Sequence, residues 1–200
     1  AYNRYLRKYG YEGENPWHTA ANSVEGPNGE IFSGWQMRHA DLPARVDKEH
    51  SETAYMTDRA MDWIDQLGDQ SWCLHLSYIK PHWPYVAPAP YHGLYRYEPI
   101  LEANRDHAEK KNPHPVLNAF MNHEESLNFS REEVRQTVIP TYMGLITEID
   151  DHLGRLMQFL ENRNLLETTM IVFTSDHGDY LGDHWLGEKE LFYDEAVRIP

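Results

Sequence analysis

The sequence predicts an α/β fold with a parallel sheet, and three observations support this prediction. A mostly apolar run at 72–79 and a β-branched run at 169–174 have the length and composition of buried strands. Between them, apolar residues from Tyr142 to Leu160 recur at helical spacing. Because two strands joined by a crossover helix pair in parallel, the order strand, helix, strand predicts two parallel strands of one sheet.

Two shorter elements are predicted before the first of these strands. Residues 1–50 lack a hydrophobic period and contain many turn residues, so we expect an irregular surface segment with one short strand near Ile31 and Phe32. Over residues 52–67 apolar side chains recur at helical spacing and Gly68 follows, which predicts a helix that ends there.

The region between the first predicted strand and the long helix has few regular patterns. Residues 80–129 are rich in Pro, His, Tyr and Asn and are expected to form a long loop that is functional or partly disordered. Ser130 and Glu133 form a capping box, which predicts the start of a helix. Pro140 is expected to break or kink this helix, because proline lacks the amide hydrogen and its ring clashes with the preceding turn.

The composition indicates a packed protein and argues against several kinds of partner. Aromatic residues make up 12% of the chain, which is typical of a globular body. The formal net charge of -14 would repel a polyanion, so no nucleic-acid partner is expected. The single cysteine, Cys73, excludes an internal disulfide and is expected to be a small buried residue. No apolar run reaches the length of a membrane span.

The two ends of the sequence resemble chain interior, since residue 1 is not methionine and residues 197–200 have no tail-like composition. We therefore expect residues 1–200 to be part of one domain that is truncated at both ends. Signals for a compartment would lie outside such a piece, so a soluble protein in the cytoplasm, in the periplasm or secreted is consistent with it. Nothing in the sequence specifies an oligomeric state.

Polar clusters follow both predicted strands, at the sheet edge where parallel α/β sheets bind ligands. After the second strand come Asp176 and His177, whose carboxylate and imidazole are common ligands of divalent cations. In a turn loosened by Gly178 these side chains can converge on one ion, which adjacent residues within a strand cannot do. An ordinary strand-to-loop turn also favours Asp and Gly, so metal binding and a structural turn both remain open.

The cluster after the first strand contains His82, with Pro81 and Pro84 near it. Because proline stiffens the backbone, His82 is a candidate general acid that could protonate a leaving group near neutral pH. Lys80 could add positive charge, and Tyr85 is a further candidate for substrate contact. A packed loop with a hydrogen-bonded histidine is the structural alternative.

Two more polar residues of interest lie beyond the second strand. Lys189 could hold an anionic oxygen near a metal and stabilise charge that develops in a transition state. His184 is a candidate contact to a substrate or to a residue of the site. A solvated surface side chain is the alternative interpretation of each.

Together these motifs resemble one known family. The pattern Lys-Pro-His-x-Pro-Tyr at 80–85 is followed by Thr-Ser-Asp-His-Gly-Asp at 174–179 and by a glycine-rich turn with lysine at 182–189. This order is similar to that of sulfatases, a branch of the alkaline phosphatase superfamily. Three motifs in one order are far more specific than any single motif.

The resemblance extends beyond the motifs. Residues 142–155 resemble the long helix of sulfatases, and residues 182–193 look most like phosphonate monoester hydrolases and their phosphodiesterase relatives. The similar regions are 70–96 and 130–200. The family's fold implies an alkaline phosphatase-like sandwich around a parallel sheet, incomplete in this piece.

The resemblance implies a metal-dependent hydrolase of sulfate, phosphate or phosphonate esters, with phosphonate monoesters and phosphate diesters favoured. Asp176 and His177 match metal ligands for one divalent ion, either Ca²⁺, Mg²⁺, Mn²⁺ or Zn²⁺. Lys189 matches the lysine that contacts the transferring sulfuryl or phosphoryl oxygens, and His82 matches the histidine beside the leaving-group oxygen. The expected partner is a small anionic ester.

The nucleophile of the family is missing from this sequence. In sulfatases it is a formylglycine made from a cysteine in Cys-x-Pro-x-Arg, whereas Cys73 is followed by Leu74, His75 and Leu76. We expect the formylglycine, and the aspartate-rich strand end that completes the metal site, to lie upstream. The piece alone should therefore be inactive and bind metal weakly.

Two other hypotheses stay open. A two-zinc phosphatase or phosphodiesterase of the same superfamily would need additional Asp and His ligands outside these residues. A non-catalytic relative that acts as a binding or scaffold protein would lack a Cys or Ser nucleophile motif upstream.

Overall fold

The computed structural model describes residues 1–200, which divide into two compact units. The first unit comprises Ala1–Glu98 and Pro140–Thr169, and the second comprises Pro99–Ile139 and Met170–Pro200. Each unit contains its own cluster of buried apolar side chains.

Helices make up most of the regular structure. The six α-helices are α1 Tyr2–Lys8, α2 Glu52–Leu67, α3 Pro115–Met121, α4 Glu124–Phe129, α5 Glu132–Asn162 and α6 Asp194–Val197. The sheet consists of two short antiparallel strands, β1 Ser23–Glu25 and β2 Ile31–Ser33. None of the helices combines the length and the apolar content that a bilayer crossing requires.

The first unit begins with α1 and the hairpin of β1 and β2. The short strand expected near Ile31 is confirmed, whereas α1 was missed because seven residues carry too little periodicity. The turn of the hairpin is closed by the Gly26 amide, which donates to the Glu30 carbonyl at 2.7 Å. Leu6 and Val24 are fully buried in the core that this arrangement creates.

The predicted helix over residues 52–67 is confirmed as α2. Its start is capped by the Ser51 hydroxyl, which accepts from the Ala54 amide at 3.1 Å. Gly68 follows the last turn with a φ of 56°, a conformation that glycine adopts without the steric cost of a side chain. Thr57 and Ile64 lie on its buried face.

The prediction that Pro140 breaks the next helix was wrong. Pro140 lies inside α5, which runs for 31 residues. A helix of this length keeps the hydrogen bonds on both sides of the proline, so the loss of one donor does not end it. The division between the two units nevertheless falls at this residue.

The buried face of α5 also differs from the predicted apolar stripe. In the first unit Thr141, Leu145, Glu148 and His152 are buried, at alternating spacings of three and four residues, whereas Ile146 is 47% exposed. Polar side chains occupy this face because partners are present there. The Thr141 hydroxyl, for example, donates to the carbonyl of Ala40 at 2.9 Å.

The predicted parallel strand pair is not confirmed. Residues 72–79 and 169–174 are not in strands of the structure, and Cys73, expected to be buried, is exposed. Val172 and Phe173 are also largely exposed. An extended segment becomes a buried strand only when neighbouring strands and helices cover it, and these two segments lack such cover here.

The second unit contains two helices, α3 and α4, inside the region predicted as one long loop. Pro115 begins α3, where a proline costs no hydrogen bond, and the ring nitrogen of His114 accepts from the Val116 amide at 3.3 Å. One cluster of this unit contains five buried residues: Met121, Tyr180, Trp185, Leu186 and Ala196.

Candidate functional site

His82 lies at the tip of a short loop in the first unit. Its backbone amide donates to the Ile79 carbonyl at 3.1 Å, which closes a turn. Its ring Nδ1 lies 2.7 Å from the carbonyl oxygen of Trp83. Because a carbonyl only accepts, Nδ1 carries the hydrogen, and this bond sets both the tautomer and the orientation of an exposed imidazole.

Lys80 extends beneath the same loop. Its ammonium donates to the Pro84 carbonyl at 2.5 Å and contacts the Asn22 side-chain oxygen at 3.4 Å. Burial lowers the pKa of Lys80 to about 8, against the opposing effect of Glu52 and Glu148. The candidate for substrate contact is therefore engaged with the protein interior.

Glu148 is the buried acid that faces this lysine, and sequence reasoning missed it. The residue is 1% exposed, and its Oε1 atom has no hydrogen-bond partner. Burial raises the pKa of Glu148 to about 7, although a hydrogen bond from Ser51 and the charge of Lys80 both act to lower it. The sequence contains one signal for Glu148: it follows Leu145 by three residues, and the structure shows that both side chains lie on the buried face of α5.

Tyr85, the other candidate for substrate contact in this loop, is packed in the core. It is 1% exposed, and its ring centroid lies 6.0 Å from that of Tyr142. Over the six residues 80–85 the chain therefore passes from a half-buried lysine through an exposed histidine to a buried tyrosine.

The candidate metal ligands lie together in the second unit. Asp176 Oδ2 is 3.5 Å from His177 Nε2, and Asp176 Oδ1 accepts from the His177 amide at 3.1 Å. Nδ1 of His177 lies 2.7 Å from the Gly178 carbonyl, so it carries the hydrogen and leaves Nε2 as the nitrogen with the lone pair. A carboxylate oxygen and a basic imidazole nitrogen are thus directed to the same place.

The Asp176 carboxylate is highly exposed and acidic, with 87% of its side chain accessible. Desolvation opposes ionisation, but hydrogen bonds from backbone amides and the electrostatic effects of His177 and Lys189 outweigh it and lower the pKa of Asp176. Lys189 therefore acts on this carboxylate electrostatically. Its ammonium is also 3.1 Å from Glu188 Oε2.

Gly178 holds the Asp176 and His177 turn against α6. A Cβ placed on Gly178 would lie 1.9 Å from the Glu195 carbonyl oxygen, so only glycine allows this approach. The Gly178 amide donates to the Ala196 carbonyl at 2.8 Å. The role of this glycine is a close backbone contact as well as a loosened turn.

His184 lies between two carboxylates of the second unit. Its Nδ1 is 2.7 Å from Glu109 Oε1, its Nε2 is 3.4 Å from Glu195 Oε2, and its ring stacks on Tyr193 at 4.1 Å. Glu109 also accepts from the Asp106 amide at 3.0 Å within a capping box. This network joins the 107–110 turn to α6, and sequence reasoning missed both glutamates.

The structure therefore assembles the predicted residues in two sets. Asp176, His177 and Lys189 belong to one set, while Lys80 and His82 share a loop in the other. No group of three or more His, Cys, Asp or Glu side chains is arranged to hold a metal ion. Asp176 and His177 are two candidate ligands, and a complete coordination sphere needs more.

Comparison with known proteins identifies relatives along the whole chain. The family model described as "Sulfatase" matches residues 3–200. The multifunctional alkaline phosphatase superfamily protein PehA of Trinickia caryophylli is 39% identical over 175 residues, covering 80% of this chain and 34% of PehA. Choline-sulfatase of Rhizobium meliloti is 28% identical over 155 residues, covering 74% of this chain and 30% of that protein.

Solved structures give a similar result. The phosphonate monoester hydrolase SpPMH from Silicibacter pomeroyi matches with a TM-score of 0.85 and 30% identity. The phosphonate monoester hydrolase of Agrobacterium radiobacter matches with a TM-score of 0.80 and 25% identity. Each alignment covers 100% of this chain and 40% of the solved chain, so the residues described span less than half the length of these relatives.

Proposed function

The chain belongs to the sulfatase family, and we propose that it forms part of the active site of a metal-dependent hydrolase of phosphonate monoesters or phosphate diesters. The observation that carries this proposal is the similarity of the whole chain to a phosphonate monoester hydrolase, at a TM-score of 0.85. The 39% identity to a multifunctional alkaline phosphatase superfamily protein supports the same superfamily. Sulfate esters are the competing class, because a sulfate ester presents a similar tetrahedral anion.

Asp176 and His177 are the proposed metal ligands from this chain. The ionised Asp176 carboxylate and the Nε2 lone pair of His177 are 3.5 Å apart, a separation that ligands about 2.1 Å from one ion can span. The His177 Nδ1 hydrogen bond to a backbone carbonyl is the outer contact that usually orients a ligating imidazole. A bound divalent ion would act as a Lewis acid on the ester oxygens.

Lys189 and His82 are proposed to act on two different parts of the ester. Lys189 would stabilise negative charge on the transferring phosphoryl group, and its effect on the Asp176 carboxylate is consistent with a location near the metal ligands. His82 would donate a proton to the departing oxygen. Since the Nδ1 hydrogen is held by the Trp83 carbonyl, His82 would act as the doubly protonated imidazolium, give up the proton on Nε2 and be left as the neutral Nδ1–H tautomer.

The remaining parts of the proposed enzyme lie outside the described residues. We propose that residues 1–200 form one part of an alkaline phosphatase-like domain, in which the extended segments 72–79 and 170–174 become strands of a parallel sheet. The exposed apolar side chains of Val172 and Phe173 support this, because burial in a sheet would cover them. The formylglycine nucleophile and the other metal ligands would come from the same missing parts. Lys80, Tyr85 and His184 would support the site without contacting substrate.

Turnover of matched substrates tests the proposal. The complete metal-loaded protein that contains this chain would be assayed on an aryl phosphonate monoester, an aryl phosphate diester and an aryl sulfate with one common leaving group. We expect kcat/KM for the phosphonate or the diester to equal or exceed that for the sulfate. A preference for sulfate above about tenfold, or about 1.4 kcal/mol, would contradict the assignment.

The metal content distinguishes the proposal from the two-metal alternative. Elemental analysis of the purified complete protein should give one divalent ion per chain. Two tightly held zinc ions per chain would instead support a two-metal phosphatase, and no turnover of any of the three esters would support a binding protein.

A further inference from the structure

The loop that carries His82 is fixed from inside the protein. Lys80 donates to the Pro84 carbonyl at 2.5 Å, so one side chain spans the loop from its first residue to its last. The contact with Asn22 at 3.4 Å connects the same ammonium to the segment that leads into β1. His82 lies midway between the two residues that this hydrogen bond joins.

The Lys80 ammonium shares a small cavity with two carboxylates. Lys80, Glu148, Glu52, Ser51 and Asn22 line a cavity of about 20 Å³, which has room for little more than one water molecule. Glu148 and Glu52 both favour the charged form of Lys80. Rotation of the Lys80 side chain into solvent is unfavourable, because it would break the hydrogen bond to the Pro84 carbonyl and leave Glu148 as an unpaired buried charge.

We propose that Lys80 is a positioning residue, which, with Glu148 as its buried counter-charge, fixes the loop so that the His82 imidazole is aimed at the leaving group. This inference rests on the proposed acid role of His82. It assigns Lys80 a function different from the direct substrate contact that its place beside His82 suggested. Because a small displacement of a catalytic group lowers the rate strongly, the anchoring contact controls proton transfer without touching substrate.

The leaving group provides a readout that general structural damage would not produce. An acid catalyst matters most when the departing oxygen is strongly basic, so its loss slows a phenyl ester far more than a 4-nitrophenyl ester. In the complete metal-loaded protein, we expect His82→Ala to lower kcat/KM about 100-fold or more for the phenyl ester and under about tenfold for the 4-nitrophenyl ester.

Two variants test Lys80 itself. Lys80→Met keeps the aliphatic stem but leaves Glu148 unpaired, so this single variant could lose stability. Lys80→Met combined with Glu148→Gln removes both charges, so the rates can be measured on a folded protein. We expect the double variant to lose about tenfold to 100-fold on the phenyl ester and under about threefold on the 4-nitrophenyl ester. Lys8→Met, an exposed change in α1, is the matched control and should leave both rates unchanged.

Combination with His82→Ala completes the test. If Lys80 acts through His82, adding the double variant to His82→Ala should cost less than about threefold further on either ester. If the double variant loses the same rate on both esters, or if its full loss is added to that of His82→Ala, the positioning role of Lys80 is wrong. The acid role of His82 would be unaffected by either result. If His82→Ala shows no preference for the phenyl ester, the acid role itself is wrong and the inference about Lys80 falls with it.

Discussion

The two sets of candidate residues are supported in different ways. His82 stands on a loop whose underside is a buried polar cluster, with Lys80 anchored to Pro84 and faced by Glu148. Asp176 and His177 stand on an irregular segment, where the Asp176 side chain is 87% exposed and contacts its own chain neighbour. One set is ordered by the protein interior, and the other presents its polar atoms to solvent.

This difference matches the chemistry proposed for each set. A general acid needs one fixed direction, which hydrogen bonds to the protein supply. Metal ligands need accessible lone pairs, and the ion that binds them orders them in turn. We infer that the His82 loop is preorganised by the fold, whereas the Asp176 turn depends on its metal for rigidity.

The largest expected effect comes from removing a proposed metal ligand. In the complete protein, Asp176→Asn should lower kcat/KM by about three orders of magnitude, or about 4 kcal/mol, because the ion supplies most of the charge stabilisation in the site. Metal content measured by elemental analysis should fall in parallel. Asp194→Asn, at an exposed position of α6, is the control. If Asp176→Asn retains both metal and activity, Asp176 is not a metal ligand.

The buried pair should show the next largest effect, on stability. Lys80→Met leaves Glu148 without its counter-charge and should reduce the free energy of unfolding of the complete protein by about 3 kcal/mol at about pH 7.5, where both groups are mainly charged. Adding Glu148→Gln should restore more than half of that loss, because the unpaired charge is then gone. Urea denaturation measures both values, and a double variant no more stable than Lys80→Met would show that the two residues are not coupled.

The same pair predicts a dependence of stability on pH. Glu148 has a pKa raised to about 7, so its contribution to stability is present below its unfolded pKa near 4.5 and is lost as pH rises towards 7. Lys80 has a pKa lowered to about 8, so the folded state is penalised at lower pH and gains stability as pH rises from 8 towards 10.5.

The free energy of unfolding should therefore pass through a minimum between pH 7 and 8 that these two residues create. Subtracting the pH profile of the Lys80→Met and Glu148→Gln double variant should isolate a dip of up to about 3 kcal/mol. A flat difference profile over pH 5–10 would mean that neither group titrates differently in the folded state.

Much of this arrangement follows from sequence, and the exceptions have physical causes. The helix α2 was predictable because its apolar spacing and its terminal glycine agree, and the structure adds a capping serine at its start. The family was predictable because three motifs occur in one order, and the family model bears this out. Local patterns suffice where the signals are independent and point to the same element.

Features that depend on distant partners were not predictable. Helices α3 and α4 have seven and six residues, too few to form from local propensity, and they are stabilised by the packing of the second unit. Glu148 was not singled out because its partners, Ser51 and Lys80, are about 100 and 70 positions away in the sequence. The segments 72–79 and 170–174 carry strand composition, yet composition alone does not supply the neighbours that make a strand.

The smallest expected effect tests the half-exposed network of the second unit. Glu109→Gln removes the charge that faces His184 at 2.7 Å while keeping the size of the side chain. Because this network is partly accessible to solvent, the change should cost about 1 kcal/mol of stability, well below the cost at Lys80. Hydrogen exchange should quicken for the 107–110 turn, while kcat/KM should stay within about twofold because His184 is not proposed to contact substrate.

Glu102→Gln, an exposed acidic change in the same unit, is the control for this prediction and should alter neither quantity. A tenfold loss of kcat/KM in Glu109→Gln with unchanged exchange would return His184 to the group of residues that contact substrate. It would also show that a residue outside both sets takes part in catalysis, and the contrast between the His82 loop and the Asp176 turn would no longer describe the whole site.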